Sequence, residues 1–198
     1  MKTSIKSLIA TGCIALAIST STVYANNGVS KIETVAANAV NVSAIKRLII
    51  SGNIEVTISQ SPKSKVLYTN DGGTDVSVQK IGNALYVDTK SFVQGAKITI
   101  YVDDIYRIDA AGNSFVQTKE ALSLKYLQVY VKDNAKVDLN SKTENLYTSI
   151  RNSSELNLKG STDLYNIEMD KTARITLDKF NSKKTNMINS DVYVASRR

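Results

Sequence analysis

Any chemistry in this chain would rest on a few side chains, the carboxylates Asp103, Asp104 and Asp109 and the tyrosines Tyr130, Tyr147 and Tyr193. Converging carboxylates can hold calcium or serve as the acid and base of glycoside hydrolysis. Asp103 and Asp104 are adjacent, however, and neighbours in an extended strand point to opposite faces. A structural or surface role is therefore expected for the three, which remain the candidates for a metal. The tyrosines alternate with inward positions, and outward aromatic rings can stack on sugars or contact a protein. They are the candidate ligand-binding residues, although they do not fall in one column of the repeat described below.

Composition removes most other chemistry. The chain has no His and a single Cys, Cys13, so Ser-His-Asp and Cys-His nucleophiles and the usual zinc sites have no ligands in the mature protein. No enzyme activity and no cofactor are expected. The competing class is a polysaccharide-binding or polysaccharide-cleaving protein, a lyase or a glycoside hydrolase. Lys136, Glu155 and Arg174 stand one repeat apart on an outward position and would line such a groove. The same plus-minus-plus order is what a sheet surface needs to keep like charges apart, and that reading is preferred.

The elements that position these residues are set by a repeat between Tyr106 and Val194. A polar corner residue (Asn113, Asn134, Ser153, Thr172, Asn189) is followed by a small one (Ser114, Ala135, Ser154, Ala173, Ser190). Two apolar or small residues then come at alternate positions, as in Val137 and Leu139 or Leu156 and Leu158. The step is about 19 residues, too short for a unit of strand, helix and strand. Stacked coils would place equivalent side chains about 4.8 Å apart, with the corner residues forming a ladder and the apolar residues an interior column. The expectation is an all-β solenoid in which Leu156 points inward and Asn157 outward. Upstream, Gly-Asn at 52, 82 and 112 marks further turns, and Ile54, Val56 and Ile58 alternate as a half-buried strand.

Residues 1–25 read as a secretory signal peptide: Lys2 and Lys6, an apolar run from Leu8 to Ile18, and Val23-Tyr24-Ala25 before the cut. Acylation at Cys13 is disfavoured because Ala10, not a branched apolar residue, stands three positions earlier. Removal of the leader lowers the net charge from +7 to +5 and leaves no cysteine and no segment able to span a bilayer as a helix. Residues 26–43 read as a mobile N-terminal leader, and 44–198 as a single domain. Basic and acidic residues alternate along the repeats, so nucleic acid is not an expected partner. The expected location is outside the cytoplasm, in the periplasm, at the cell surface or in the medium. A monomer or a low-order homo-oligomer is expected, with Arg197 and Arg198 guarding the final strand edge.

The stretches LIISGNIEVTISQ, ALYVDTK and KITIYVDDIYRIDAAGNSF, with the corner-and-strand series that follows, resemble the GIN domain of auto-transporter adhesin heads. The likeness runs from about Ile45 to Val194. It implies an exported bacterial protein of unknown activity, a right-handed parallel β-helix, and an adhesin-like role toward a cell-surface glycan or protein. Family corners are often Gly-rich. After Gly112 this chain instead uses Asp133-Asn134, Asn152-Ser153, Lys171-Thr172 and Asn189-Ser190, short polar residues that tolerate left-handed backbone.

Overall fold

The computed structural model describes residues 39–42, 44–68, 76–89 and 96–189. The proposed cleavage site, most of the leader, Ser190, Tyr193 and the terminal arginines lie outside them. Thirteen strands form among the described residues. They are β1 (Ala39–Asn41), β2 (Arg47–Ile50), β3 (Ile54–Gln60), β4 (Lys65–Tyr68), β5 (Val76–Ile81), β6 (Ala84–Thr89) and β7 (Ala96–Val102). The remainder are β8 (Arg107–Ala110), β9 (Phe115–Thr118), β10 (Leu122–Val131), β11 (Lys136–Ile150), β12 (Glu155–Met169) and β13 (Arg174–Asn189).

Period-two alternation sets the faces. Val56 and Ile58 of β3, Ile98 and Ile100 of β7, Val137 and Leu139 of β11, and Leu156 and Leu158 of β12 are all buried. Each such side chain contributes about 1.5 to 3 kcal/mol by leaving water. Leu156 is fully buried and lies in register between Val137 and Ile175, while Asn157 is half-buried and donates to Asp138 Oδ1 at 2.7 Å. Tyr165 is also fully buried, which the repeat does not announce. Its hydroxyl lies 2.9 Å from Thr148 Oγ1, and its ring meets Phe180 edge-on at 5.1 Å. That bond keeps a buried phenol satisfied.

The all-β expectation holds, but the right-handed parallel β-helix does not. All the strands belong to one mixed sheet, curled as a half-barrel. Its main path runs β1-β4-β7-β3-β9-β11-β10-β8-β2-β6-β5, with β12 on β11 and β13 on β12. The pairs β1·β4, β4·β7 and β5·β6 are antiparallel. From β8 onward strands pair in parallel, so a local repeat reads correctly as parallel neighbours yet does not dictate how the whole sheet closes. The difference shows at Gly82-Asn83, which is a turn, as the sequence indicates. Ile81 pairs with Ala84, so this dipeptide is the two-residue loop of an antiparallel hairpin, whereas a coil would carry the chain onward.

Curling follows from the long strands. The first part of β11, Lys136–Asp138, pairs with β9, while Leu122–Val131 of β10 pairs with the second part, Ser141–Ile150. One strand thus belongs to two flanks, and the apolar columns of both turn to a shared interior. Corners between flanks adopt positive φ at Gly112 (70°), Asp133 (65°) and Asn152 (62°). Asp and Asn are the non-glycine residues that reach this region at least cost.

Candidate ligand-binding face

β2, β8 and the Leu127–Val131 part of β10 share a pattern in which every second residue is buried, so the intervening residues stand on the outer side of the sheet. Parallel register lines these up across strands. Tyr86 lies beside Ile49, Ile49 beside Asp109, Asp109 beside Tyr130, Tyr130 beside Ser149, and Ser149 beside Glu168. The row crosses six strands and is roughly 24 Å long. A second row, one residue pair away, carries Arg47, Arg107, Gln128 and Tyr147 in the same order.

Arg47 and Arg107 face each other directly, which would be repulsive without a counter-charge. Asp109 supplies it. Arg107 donates to Asp109 through Nη2 to Oδ1 at 2.7 Å and Nε to Oδ2 at 2.9 Å, and Arg47 Nε donates to the same Oδ2 at 2.9 Å. The hydrogen bond to Asp109 raises the Arg107 pKa above its ordinary value despite the opposing effect of burial. The guanidinium carbon of Arg107 also sits 3.9 Å from the Tyr130 ring centroid, a cation–π contact.

From Tyr130 the network continues to Tyr147, whose ring centroid is 5.6 Å away at a 50° tilt. The Tyr147 hydroxyl donates to Glu168 Oε2 at 2.7 Å, and Arg151 is ion-paired with the other oxygen of Glu168. Burial, reinforced by the hydrogen bond to Glu168, pushes the Tyr147 phenol up to about 12. The face is therefore a pre-ordered band of aromatic rings, guanidiniums and carboxylates.

Two of the tyrosines singled out from sequence, Tyr130 and Tyr147, are brought together, because a one-pair diagonal across β10 and β11 compensates for their different repeat positions. Tyr193 lies outside the described residues. Arg47, Arg107, Arg151, Glu168 and Tyr86 were missed. The usable signal was the alternation Arg-Ile-Asp-Ala beside Arg-Leu-Ile-Ile, which places two arginines on equivalent outward positions.

The three acidic residues do not converge. Asp109 is held in the arginine pair, whereas Asp104 bonds Lys46 Nζ at 2.7 Å. With Asp103 it lines an open cleft of about 380 Å³ that also includes Lys63 and Ile45. Among the described residues no three His, Cys, Asp or Glu side chains are placed to hold a metal.

The corner residues divide by exposure. Ser114, Ala135, Ser154 and Ala173 are buried, and Asn113, Asn134, Ser153 and Thr172 face solvent. Asn134 Nδ2 donates to Asn113 Oδ1 at 3.2 Å, and Thr172 Oγ1 reaches back to the Asn152 carbonyl at 2.8 Å. Asn189 ends β13, and its side chain and Ser190 are outside the described set. More bonds fall one or two positions earlier. Asp133 accepts from Gly112 N and Asn152 Nδ2, each at 3.2 Å, and Asp170 accepts from Asn152 N at 2.6 Å. At Asp170 burial opposes ionisation, but the bonds from Asn152, Thr172 and Ala173 outweigh it and lower the pKa. On the separate flank that joins β9 to the first part of β11, Lys136 and Glu155 form an ion pair at 3.7 Å, and Glu155 is in register with Arg174.

A family model described as "Putative auto-transporter adhesin, head GIN domain" matches residues 44–190. The chain belongs to this family. Among solved structures, it is similar to a "putative lipid binding protein" from Parabacteroides distasonis, at 12% identity and a TM-score of 0.59, covering 77% of each chain. A "putative adhesin" from the same species matches at 14% identity and TM-score 0.58, with 77% of each chain covered. A third, a "putative adhesin" from Parabacteroides merdae, matches at 17% and 0.52, covering 78% of this chain and 77% of that one. At these identities the likeness is one of fold. No curated protein matches the sequence. Membership in an adhesin-head family is consistent with an exported or cell-surface protein, and no helix among the described residues is long and apolar enough to cross a membrane.

Proposed function

We propose that this GIN-domain protein is an exported, non-catalytic, adhesin-like module that meets a cell-surface glycan or protein through the outer face carrying Arg107, Tyr130 and Tyr147. The observation that carries the reading is the ordering of these side chains: Arg107 stacks on Tyr130, Tyr130 contacts Tyr147, and Tyr147 is fixed by Glu168. Aromatic and arginine side chains held in one conformation lose little entropy on binding, which favours recognition. Export would follow cleavage after Ala25, leaving residues 26–43 as a leader to the domain. Polysaccharide cleavage receives no support from this arrangement, since both carboxylates on the face are engaged by arginines and the acidic residues once grouped with Asp109 lie elsewhere.

The test has two arms. In a bacterial cell producing the full chain, intact-mass analysis of the exported form is expected to find Asn26 at its start. On arrays of glycans and extracellular proteins, wild type is expected to be retained by a defined set of spots and Tyr130→Ala to lose them. Retention that is unchanged in the variant, or release of saccharide fragments from the array, would refute the interaction reading.

A further inference from the structure

We infer that the ligand of this face is an acidic saccharide, one bearing carboxylates on sugar rings, bound over Arg47 and Arg107 between Tyr86 and Tyr130. The inference rests on the proposed surface-interaction role and names its chemistry. A guanidinium has five N–H donors. Arg107 commits Nε and Nη2 to Asp109, and Arg47 commits Nε. Nη1 of Arg107 and both terminal nitrogens of Arg47 have no partner among the described residues. Two cations also share one carboxylate, so the cluster of Arg47, Arg107 and Asp109 carries one positive charge in excess. At the other end Arg151 and Glu168 cancel. An anionic group is therefore drawn to the β2–β8 end and not to the whole face.

The neighbouring groups select the rest of the ligand. Tyr86 and Tyr130 occupy the same row, three strands apart, with Ile49 and Asp109 between them. Tyr86 is 38% exposed, and its phenol has no partner among the described residues. The two residues flank a floor of roughly 14 Å, room for linked sugar rings to lie with an apolar face toward Tyr86 and their carboxylates on the uncommitted guanidinium nitrogens of Arg47 and Arg107. Planar guanidiniums match carboxylates in two-point geometry. A membrane surface fits less well, because Ile188 on β13, the exposed apolar residue in register with Glu168, is separated from Arg47 and Arg107 by β10, β11 and β12.

Native electrophoresis through gels containing polygalacturonate, or its fully methyl-esterified form in which the charge is removed from the same sugar, tests this with the full chain at low salt. Retardation is expected only with the acid form. Arg47→Gln is expected to weaken it about tenfold and Tyr86→Ala about fivefold. Tyr86→Ala keeps the test valid should Arg47→Gln fold poorly. Lys136→Gln, which removes one charge away from the face, is expected to leave it unchanged. Equal retardation by the ester would overturn the acidic class while leaving a glycan-binding role standing. Equal loss in Lys136→Gln would reduce the effect to bulk charge, and capture by phosphatidylglycerol vesicles without retardation by polygalacturonate would assign the face to lipid headgroups. Either result would overturn the inference, as would no retardation at all.

Discussion

Gly160 lies inside β12, at φ +98°, in register with Ser141 on one side and Phe180 on the other. A Cβ built there would stand 2.0 Å from the Ser141 carbonyl oxygen and 2.9 Å from its carbonyl carbon. Both are backbone atoms of the adjacent strand, so no side-chain rotation relieves the overlap. Gly160→Ala must part β11 from β12 or force the residue out of its conformation. Left-handed backbone costs an L-residue about 1 to 2 kcal/mol, and overpacking a fixed site adds about 1 to 3 kcal/mol. The reduced freedom of the unfolded alanine chain returns about 0.4 to 1 kcal/mol. The expected loss is about 3 kcal/mol, a large share of a typical domain's stability. Gly82→Ala is the control, since φ there is +59° and nothing lies within 4 Å of the added carbon. Only the backbone penalty then applies, about 1 kcal/mol. Urea unfolding followed by far-UV circular dichroism measures both, and equal losses in the two variants would refute the claim that contact with Ser141 dominates.

Leu156→Ala is expected to cost about 2 to 5 kcal/mol in the same assay, against about 1 kcal/mol for Asn157→Ala, which loses one hydrogen bond; equal costs would place the wrong face inward. Asp170 has a lowered pKa in the folded protein, so the stability it adds is present above its ordinary value of 3.8 and lost as pH falls through the depressed value. The difference in urea midpoint between wild type and Asp170→Asn should thus shrink steadily below pH 3.8, and a constant difference would count against it. Tyr147 and Tyr165, both raised to about 12, stabilise the fold fully below 10 and progressively less between 10 and 12. Ultraviolet titration should find late phenols that include these two, with Tyr147→Phe removing one and relieving part of the alkaline destabilisation.

The absence of imidazole chemistry, the strand alternation and the parallel register from β8 onward were all readable from residue order. Each depends on neighbours or on one repeat step: Val137, Leu156 and Ile175 are equivalent in sequence and adjacent in space because one corner separates each from the next. The left-handed corners at Asp133 and Asn152 are equally local, since short polar side chains bond their own backbone wherever they occur. Family membership follows from the same stretches.

Global closure is not local. The same Gly-Asn pair makes a hairpin at 82 and a corner at 112, and only the partners available to the flanking strands decide between them. Of the antiparallel pairs that exclude a continuous helix, β1·β4 and β4·β7 join strands distant in sequence, and only β5·β6 closes through a local hairpin. The face likewise needed tertiary structure: Arg47 and Asp109 are 62 positions apart, and nothing along the chain ties one to the other. Tyr130 and Tyr147 occupy non-equivalent repeat positions and meet through a diagonal across two strands. Sequence determined which side chains point outward, because alternation is a property of one strand. Which of them touch was decided by strand order, a property of the whole sheet.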